Sequence, residues 1–150
     1  MKKSKIILLA VLVILVAIQF VPVERSNPPA TQKLKMPADV AKIMKRSCFD
    51  CHSNETVWPW YSYVAPVSWL IADDVEEGRH KMNFSEWDHL KPRKQRKRLD
   101  KCVEEIEEGE MPLEPYQVLH SNTKVSEAEL AVIKNWVDTV LNHSQEMSGD

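Results

Sequence analysis

The 150-residue sequence predicts an all-α domain that follows one apolar membrane helix. Three observations indicate this fold class. Residues 6–23 form an uncharged apolar run, later segments repeat apolar residues at helical spacing, and strand-like alternation of apolar and polar residues is missing. The chain also has only 3 glycines, which disfavours the many turns of a β-sandwich.

The first segment, residues 1–23, is predicted to be a signal-anchor. Lysines at positions 2, 3 and 5 precede the apolar run, in which Gln19 is the one polar side chain. As a helix the run spans about 27 Å, close to the thickness of the bilayer core, and the lysines place its amino end in the cytoplasm. A cleaved signal peptide is the alternative, although the run is long for one and no small-x-small site ends it.

The remaining chain divides by composition into a linker, a domain and a tail. Residues 24–36 contain Pro28-Pro29 and no apolar period, which predicts a linker. Residues 37–144 are predicted to form the domain, and residues 145–150 the tail. The 20 basic and 22 acidic residues nearly balance, which argues against a nucleic-acid partner.

Four helices are expected in the domain. A core made from four short helices is thin for about 115 exported residues, so a ligand held inside would help to stabilise it. The expected helices run from Pro37 to Cys51, from about Ser68 to Glu77 with Gly78 as the stop, from Pro92 to Glu108 with Gly109 as the stop, and onward from a capping box at Ser126–Glu129.

Residues 48–52 read Cys-Phe-Asp-Cys-His, the C-x-x-C-H pattern of covalent haem attachment. Two thiols three residues apart near a helix end point the same way, so Cys48 and Cys51 can add to the two haem vinyl groups. The adjacent His52 can then bind the iron from the same side. A dithiol redox motif would need a βαβ context, which the sequence does not show. A zinc site would need about four ligands, and the sequence has no second Cys pair. A structural disulfide remains possible but leaves His52 unexplained.

The pattern resembles class I cytochromes c, which have a helix leading into C-x-x-C-H, a later Met before Pro, and a C-terminal helix packed on the first. Residues from about Val21 to Val137 more closely resemble the bacterial haem-binding domain family of anchored periplasmic c-type proteins. The matching segments are residues 48–56, Trp58-Pro59-Trp60-Tyr61, Gly109-Glu110-Met111-Pro112 and Tyr116 to His120.

This resemblance implies one covalently attached haem c in a small cytochrome-c-like fold. It also implies a single-pass protein of the bacterial inner membrane with its C-terminal domain in the periplasm. The expected partners are redox proteins of unknown identity, and the membrane itself through the N-terminal helix.

Met111 is the predicted sixth ligand, because a thioether is a soft neutral donor that raises the reduction potential of haem iron. Met82 and His80 are the alternatives. Cys102 is expected to be a small buried apolar residue rather than a ligand. The remaining histidines, His89, His120 and His143, are expected at the surface.

The stretch from Ser53 to Leu90 is longer and more aromatic than the corresponding connection in cytochromes c. Its rings are expected to pack in the core, to wall the haem with polar N–H or O–H donors, or to do both. Arg79 is expected to form an exposed salt bridge, with a haem propionate as the alternative partner.

One-electron transfer is the leading hypothesis for function, with no catalytic residue assigned. The alternative is a haem-based peroxidase or small-ligand sensor with an open distal site, for which Arg79 and His80 are the adjacent candidates. A third possibility is an interaction module in which Cys48 and Cys51 form a disulfide.

Overall fold

The computed structural model describes residues 3–146, which form seven α-helices and no strand, so the all-α prediction is confirmed. Two short 3₁₀ turns lie at Ile18–Phe20 and Trp60–Tyr63. The helices are α1 (Lys3–Ala17), α2 (Ala38–Ser47), α3 (Phe49–His52), α4 (Val67–Lys81), α5 (Pro92–Glu107), α6 (Glu114–Leu119) and α7 (Glu127–Glu146).

The N-terminal helix stands apart from the packed domain. Together with the following turn it forms an 18-residue segment, Lys3–Phe20, which is long and apolar enough to cross a membrane. None of this segment is buried by the rest of the chain. A membrane anchor and a signal sequence both have these properties.

The core of the domain lies where α2, α5 and α7 meet. Apolar residues at helical spacing place one stripe of α7 against both α2 and α5. Leu99 of α5 and Ile133 of α7 are completely buried there. The stripe of α2 consists of Val40, Ile43 and Met44, and that of α7 continues through Trp136 and Val137.

The predicted capping box at the start of α7 is present and also joins two helices. The Ser126 backbone N–H donates to Glu129 Oε2 over 2.9 Å, and the Glu129 N–H donates to Ser126 Oγ over 3.3 Å. Arg46 of α2 donates to the other oxygen of Glu129 over 2.7 Å. This Arg46 hydrogen bond is the main reason that the pKa of Glu129 falls to about 2.

Two expectations about the helices were wrong, and one helix was missed. The first predicted helix is interrupted at Cys48 (φ −130°), so that α2 ends before the motif and α3 begins within it. Gly78 does not stop the second helix, since α4 continues to Lys81. The short α6 was not predicted. By contrast, Gly109 ends α5 with φ of 77°, as expected for a left-handed cap.

The segment 24–36, predicted as a linker, follows the surface of the domain. The Gln32 N–H donates to Ser85 O, the Leu34 N–H donates to Phe84 O over 2.8 Å, and the Trp87 N–H donates to Gln32 O over 2.7 Å. Leu34 also packs against the core. These contacts hold the chain before α2 against the loop that follows α4.

Candidate functional site

The C-x-x-C-H residues lie on a single turn of chain. Cys48 is the residue between α2 and α3, and its N–H still donates to Met44 O over 2.8 Å. The Cys48 carbonyl accepts from the N–H groups of Cys51 (3.3 Å) and His52 (2.9 Å), which closes the turn. The turn therefore presents both thiols and the imidazole to the same cleft.

That cleft has a volume of about 200 Å³ and lies between α3, α4 and the segment that follows α5. Cys48, Cys51 and His52 line it, as do Met111 and Tyr116 of the later segment. A second cleft of about 60 Å³ shares Cys51 and Tyr116 with the first. Tyr61, Ile71 and Leu119 add apolar and aromatic surface to this second cleft.

His52 is held in a fixed orientation by two backbone carbonyls. Its Nδ1 lies 2.9 Å from Gly78 O and 3.0 Å from Met82 O, so Nδ1 carries the hydrogen and donates to them. Burial lowers the pKa of His52, which favours the neutral ring. A neutral imidazole with Nδ1–H donated to the protein leaves Nε2 available for a metal.

Gly78 allows α4 to approach the motif closely. A Cβ at this position would lie 2.6 Å from Cys51 O and 3.1 Å from Cys51 Cβ. The same close approach brings Gly78 O within hydrogen-bond distance of His52. The glycine that the sequence suggested as a helix stop is therefore a packing residue of the site.

The thiols of Cys48 and Cys51 are free in the structure. Burial raises the pKa of both, to about 12 for Cys51 and higher for Cys48. Such an environment favours the neutral thiol form of both side chains when no metal is bound. Within residues 3–146 there is also no group of three or more His, Cys, Asp or Glu side chains placed to hold a bare metal ion.

The candidate sixth ligands occupy different environments. Met111 is half-buried and lines the cleft. Met82 lies in the hydrophobic core, and its contact with His52 is made by its backbone oxygen. His80 is exposed on α4, and His89 is exposed as expected. The side chain of His143 lies outside the described residues.

The expectation that His120 is a surface histidine was wrong. It is half-buried, its ring lies 4.3 Å from that of Tyr116, and its Nε2 lies 3.4 Å from the Tyr61 hydroxyl. The Tyr116 hydroxyl donates to Asp50 Oδ2 over 2.7 Å, and the pKa of Tyr116 is raised by burial and by this bond. Asp50 lies inside the C-x-x-C-H motif, so α6 is fastened directly to the motif.

Arg79 also differs from expectation, because it is half-buried and bonds to neutral groups rather than to a carboxylate of the described chain. Its guanidinium donates to Ser53 O, Ser26 O, Asn27 Oδ1 and Thr56 Oγ1 over 2.8–2.9 Å. Arg79 therefore holds the segment after the motif against the segment before α2. Cys102 is half-buried against the core as expected, and burial raises its pKa to about 12.

The aromatic residues between Ser53 and Leu90 fall into three environments. Phe84 and Trp87 are core residues. Tyr61 lines the second cleft. Trp60 and Tyr63 are exposed to solvent. The core-packing role is therefore represented by Phe84 and Trp87, the haem-walling role stays a prediction, and neither role covers the exposed pair.

Comparison with known families gives one match. The model of the haem-binding domain family matches residues 13–139, which is most of the chain. This chain belongs to the haem-binding domain family. No curated protein and no solved structure matches it. In the described residues, the cleft lined by Cys48, Cys51, His52 and Met111 has a donor set that fits haem, since it offers two thiols, an oriented imidazole and a thioether.

Proposed function

We propose that this haem-binding domain carries one covalently attached haem c and transfers single electrons at the outer face of the cytoplasmic membrane. The observation that carries the proposal is that both thiols of the motif and an imidazole with Nδ1–H held by carbonyls line one cleft. A bound haem supplies the redox-active iron, while the protein supplies binding, orientation and the surrounding charge.

Cys48 and Cys51 are proposed to form the two thioether bonds, and His52 to bind the iron through Nε2. The carbonyls of Gly78 and Met82 fix the plane and tautomer of the His52 ring, which removes the need to reorganise it when the charge of the iron changes. The hydrogen bond between Tyr116 and Asp50 anchors the middle of the motif turn.

Met111 is the proposed sixth ligand, because it lines the same cleft as His52 while Met82 is a core residue. A neutral soft sulfur donor stabilises the reduced iron and so raises the reduction potential. Pro112 next to it is buried, which holds the backbone at this position. The parallel with class I cytochromes c is part of this proposal.

The proposed location is the bacterial inner membrane, with a single pass and the domain in the periplasm, where redox proteins would be the partners. The apolar segment Lys3–Phe20 and the lysines at its amino end support this orientation. The peroxidase or sensor alternative has less support, because Arg79 is occupied by carbonyl, amide and hydroxyl groups and His80 is exposed.

The test of attachment is to export the full chain in a cell that has the cytochrome c maturation machinery. We expect one haem that survives extraction with acidic acetone, and none after Cys48→Ser plus Cys51→Ser. Cys102→Ser is the matched control and should keep the haem. A folded, colourless wild-type protein would refute the attachment.

The test of Met111 is a pair of replacements that conserve volume, so that packing changes little. Met111→Leu should remove the weak long-wavelength sulfur-to-iron band, lower the reduction potential and allow carbon monoxide to bind. Met82→Leu, the control, should leave all three unchanged. Rapid binding of carbon monoxide by the wild type would instead favour the sensor or peroxidase hypothesis.

The membrane anchor is tested by fractionation. The full chain should stay with membranes through a high-salt wash, since apolar contact is insensitive to screening. A soluble mature protein beginning near residue 24 would show that the segment is a cleaved signal.

A further inference from the structure

An exposed apolar surface, which we call the 57–70 surface, runs from the segment after the motif into the first turn of α4. The sequence from Thr56 to Ala72 has no charged side chain, although 28% of the whole chain is charged. Among described residues after position 23, seven of the ten large apolar side chains that are exposed belong to this stretch. The seven are Val57, Trp60, Tyr63, Val64, Val67, Trp69 and Leu70.

This surface is continuous with the end of the apolar N-terminal segment. The Ala65 N–H donates to Gln19 Oε1 over 2.9 Å, and Gln19 Nε2 donates to Ala65 O over 3.1 Å. Gln19 is thus paired with both backbone groups of Ala65, a buried residue within the same stretch of chain. Phe20, the next residue, is 82% exposed. The surface therefore lies level with the outer end of the apolar helix.

Polar groups at the edge of the surface suit a lipid headgroup region. The guanidinium carbon of Arg25 lies 4.5 Å from the centre of the Tyr63 ring, and Arg25 Nη1 donates to Ser62 O over 3.1 Å. This arrangement keeps a positive charge beside exposed rings, where lipid phosphates would lie. Trp and Tyr prefer this layer because one end of each ring system is apolar and the other can form hydrogen bonds.

We propose that the 57–70 surface is immersed in the headgroup layer of the outer leaflet, so that the domain lies on the bilayer instead of standing away from it. The occupant of the surface is lipid. The proposal rests on the membrane anchor of the proposed function, because Gln19 sets the level of the surface only if the segment before it spans the bilayer. Tyr61 and Ile71, from the inner side of the same stretch, line the second cleft. This second cleft, which shares Cys51 and Tyr116 with the proposed haem cleft, therefore lies behind the membrane-facing surface.

The test uses the full chain, one copy per lipid nanodisc, with a fraction of the lipid carrying a diazirine at the upper part of its acyl chain. After illumination, lipid adducts are mapped by mass spectrometry. Adducts are expected in residues 3–20 and in residues 57–70, and at least several-fold fewer in α6, whose Val118 is 76% exposed. The variant Leu70→Asp places a charge on the surface at a residue that is 64% exposed, and Val118→Asp is its control on α6. Only Leu70→Asp should reduce the adducts in residues 57–70.

The outcomes separate this proposal from the anchor. If residues 3–20 carry adducts but residues 57–70 carry no more adducts than α6 does, the immersed surface is overturned and the anchor stands. An absence of adducts in both segments would overturn the anchor. Adducts in residues 57–70 that are present in discs with one chain but disappear in discs with two chains would assign the surface to a chain–chain contact and would also overturn the proposal.

Discussion

Gly78→Ala is the sharpest perturbation of the haem site that leaves every proposed ligand in place. In an open helix this change would stabilise by about 1 kcal/mol, because alanine has the higher helix propensity. Here the added Cβ would lie 2.6 Å from Cys51 O, a backbone atom that cannot rotate away. Overpacking of this kind costs about 1–3 kcal/mol. Since the contact is with backbone, we take the upper part of that range and expect a net loss of about 1–2 kcal/mol.

The same displacement should be visible at the iron. Moving α4 away from α3 lengthens the 2.9 Å contact between His52 Nδ1 and Gly78 O, which loosens the ring of the proposed iron ligand. The assay is guanidinium unfolding of the haem-loaded full chain in detergent, followed by helical circular dichroism and by the haem absorption band.

Gly109→Ala is the matched control for Gly78→Ala. Gly109 has φ of 77° and no atom within 4 Å of an added Cβ, so the variant suffers backbone strain without a clash. It should lose about 1–2 kcal/mol, the cost of the left-handed conformation for a residue with a side chain. Its haem spectrum should match the wild type. A Gly78→Ala protein that is more stable than wild type, with an unchanged spectrum, would refute the close approach.

Three further variants probe the packing around the site. Glu129→Gln weakens the bond to Arg46 and should cost about 1 kcal/mol at neutral pH. Because folding lowers the pKa of Glu129 to about 2, this stabilisation is present above its ordinary pKa of 4.5 and disappears as the pH falls toward 2. Equal wild-type and variant stabilities at pH 7, measured by denaturant unfolding, would contradict it. Tyr116→Phe removes the hydroxyl that donates to Asp50 and should cost about 1.5–3 kcal/mol; an unchanged unfolding midpoint would show that the bond contributes nothing. Leu99→Ala, at a fully buried position, should cost about 2–5 kcal/mol without shifting the haem band, which thermal unfolding and a spectrum together would check.

Local signals in the sequence were sufficient for the helix bounds that depend on neighbouring residues. The capping box at Ser126 and the left-handed stop at Gly109 were both predicted, because each acts within one helical turn. Gly78 was misread for the same reason. A glycine after a helical run resembles a stop, and its true role depends on Cys51, which is 27 positions earlier in the chain and meets it only in the folded state.

In the site, too, contacts between neighbouring residues were predicted and contacts between distant residues were missed. Spacing alone grouped Cys48, Cys51 and His52, since one turn of chain carries all three. Spacing could not predict the partners of His52 Nδ1, because these partners are backbone carbonyls and every residue type has one. The packing of His120 between two tyrosines was also missed, although the segment from Tyr116 had been noted for its family resemblance.

The contacts of residues 24–36 limit the reach of the haem domain. A free chain of about 13 residues would let a domain explore a radius of about 20 Å. Here hydrogen bonds fix four residues of the segment to the domain, namely Arg25, Asn27, Gln32 and Leu34. The segment therefore gives the haem domain little freedom to move away from the bilayer. If the N-terminal helix is the anchor, the domain does not swing out to meet a distant partner. A redox partner of the proposed electron carrier must then present a docking face at a fixed height above the lipid.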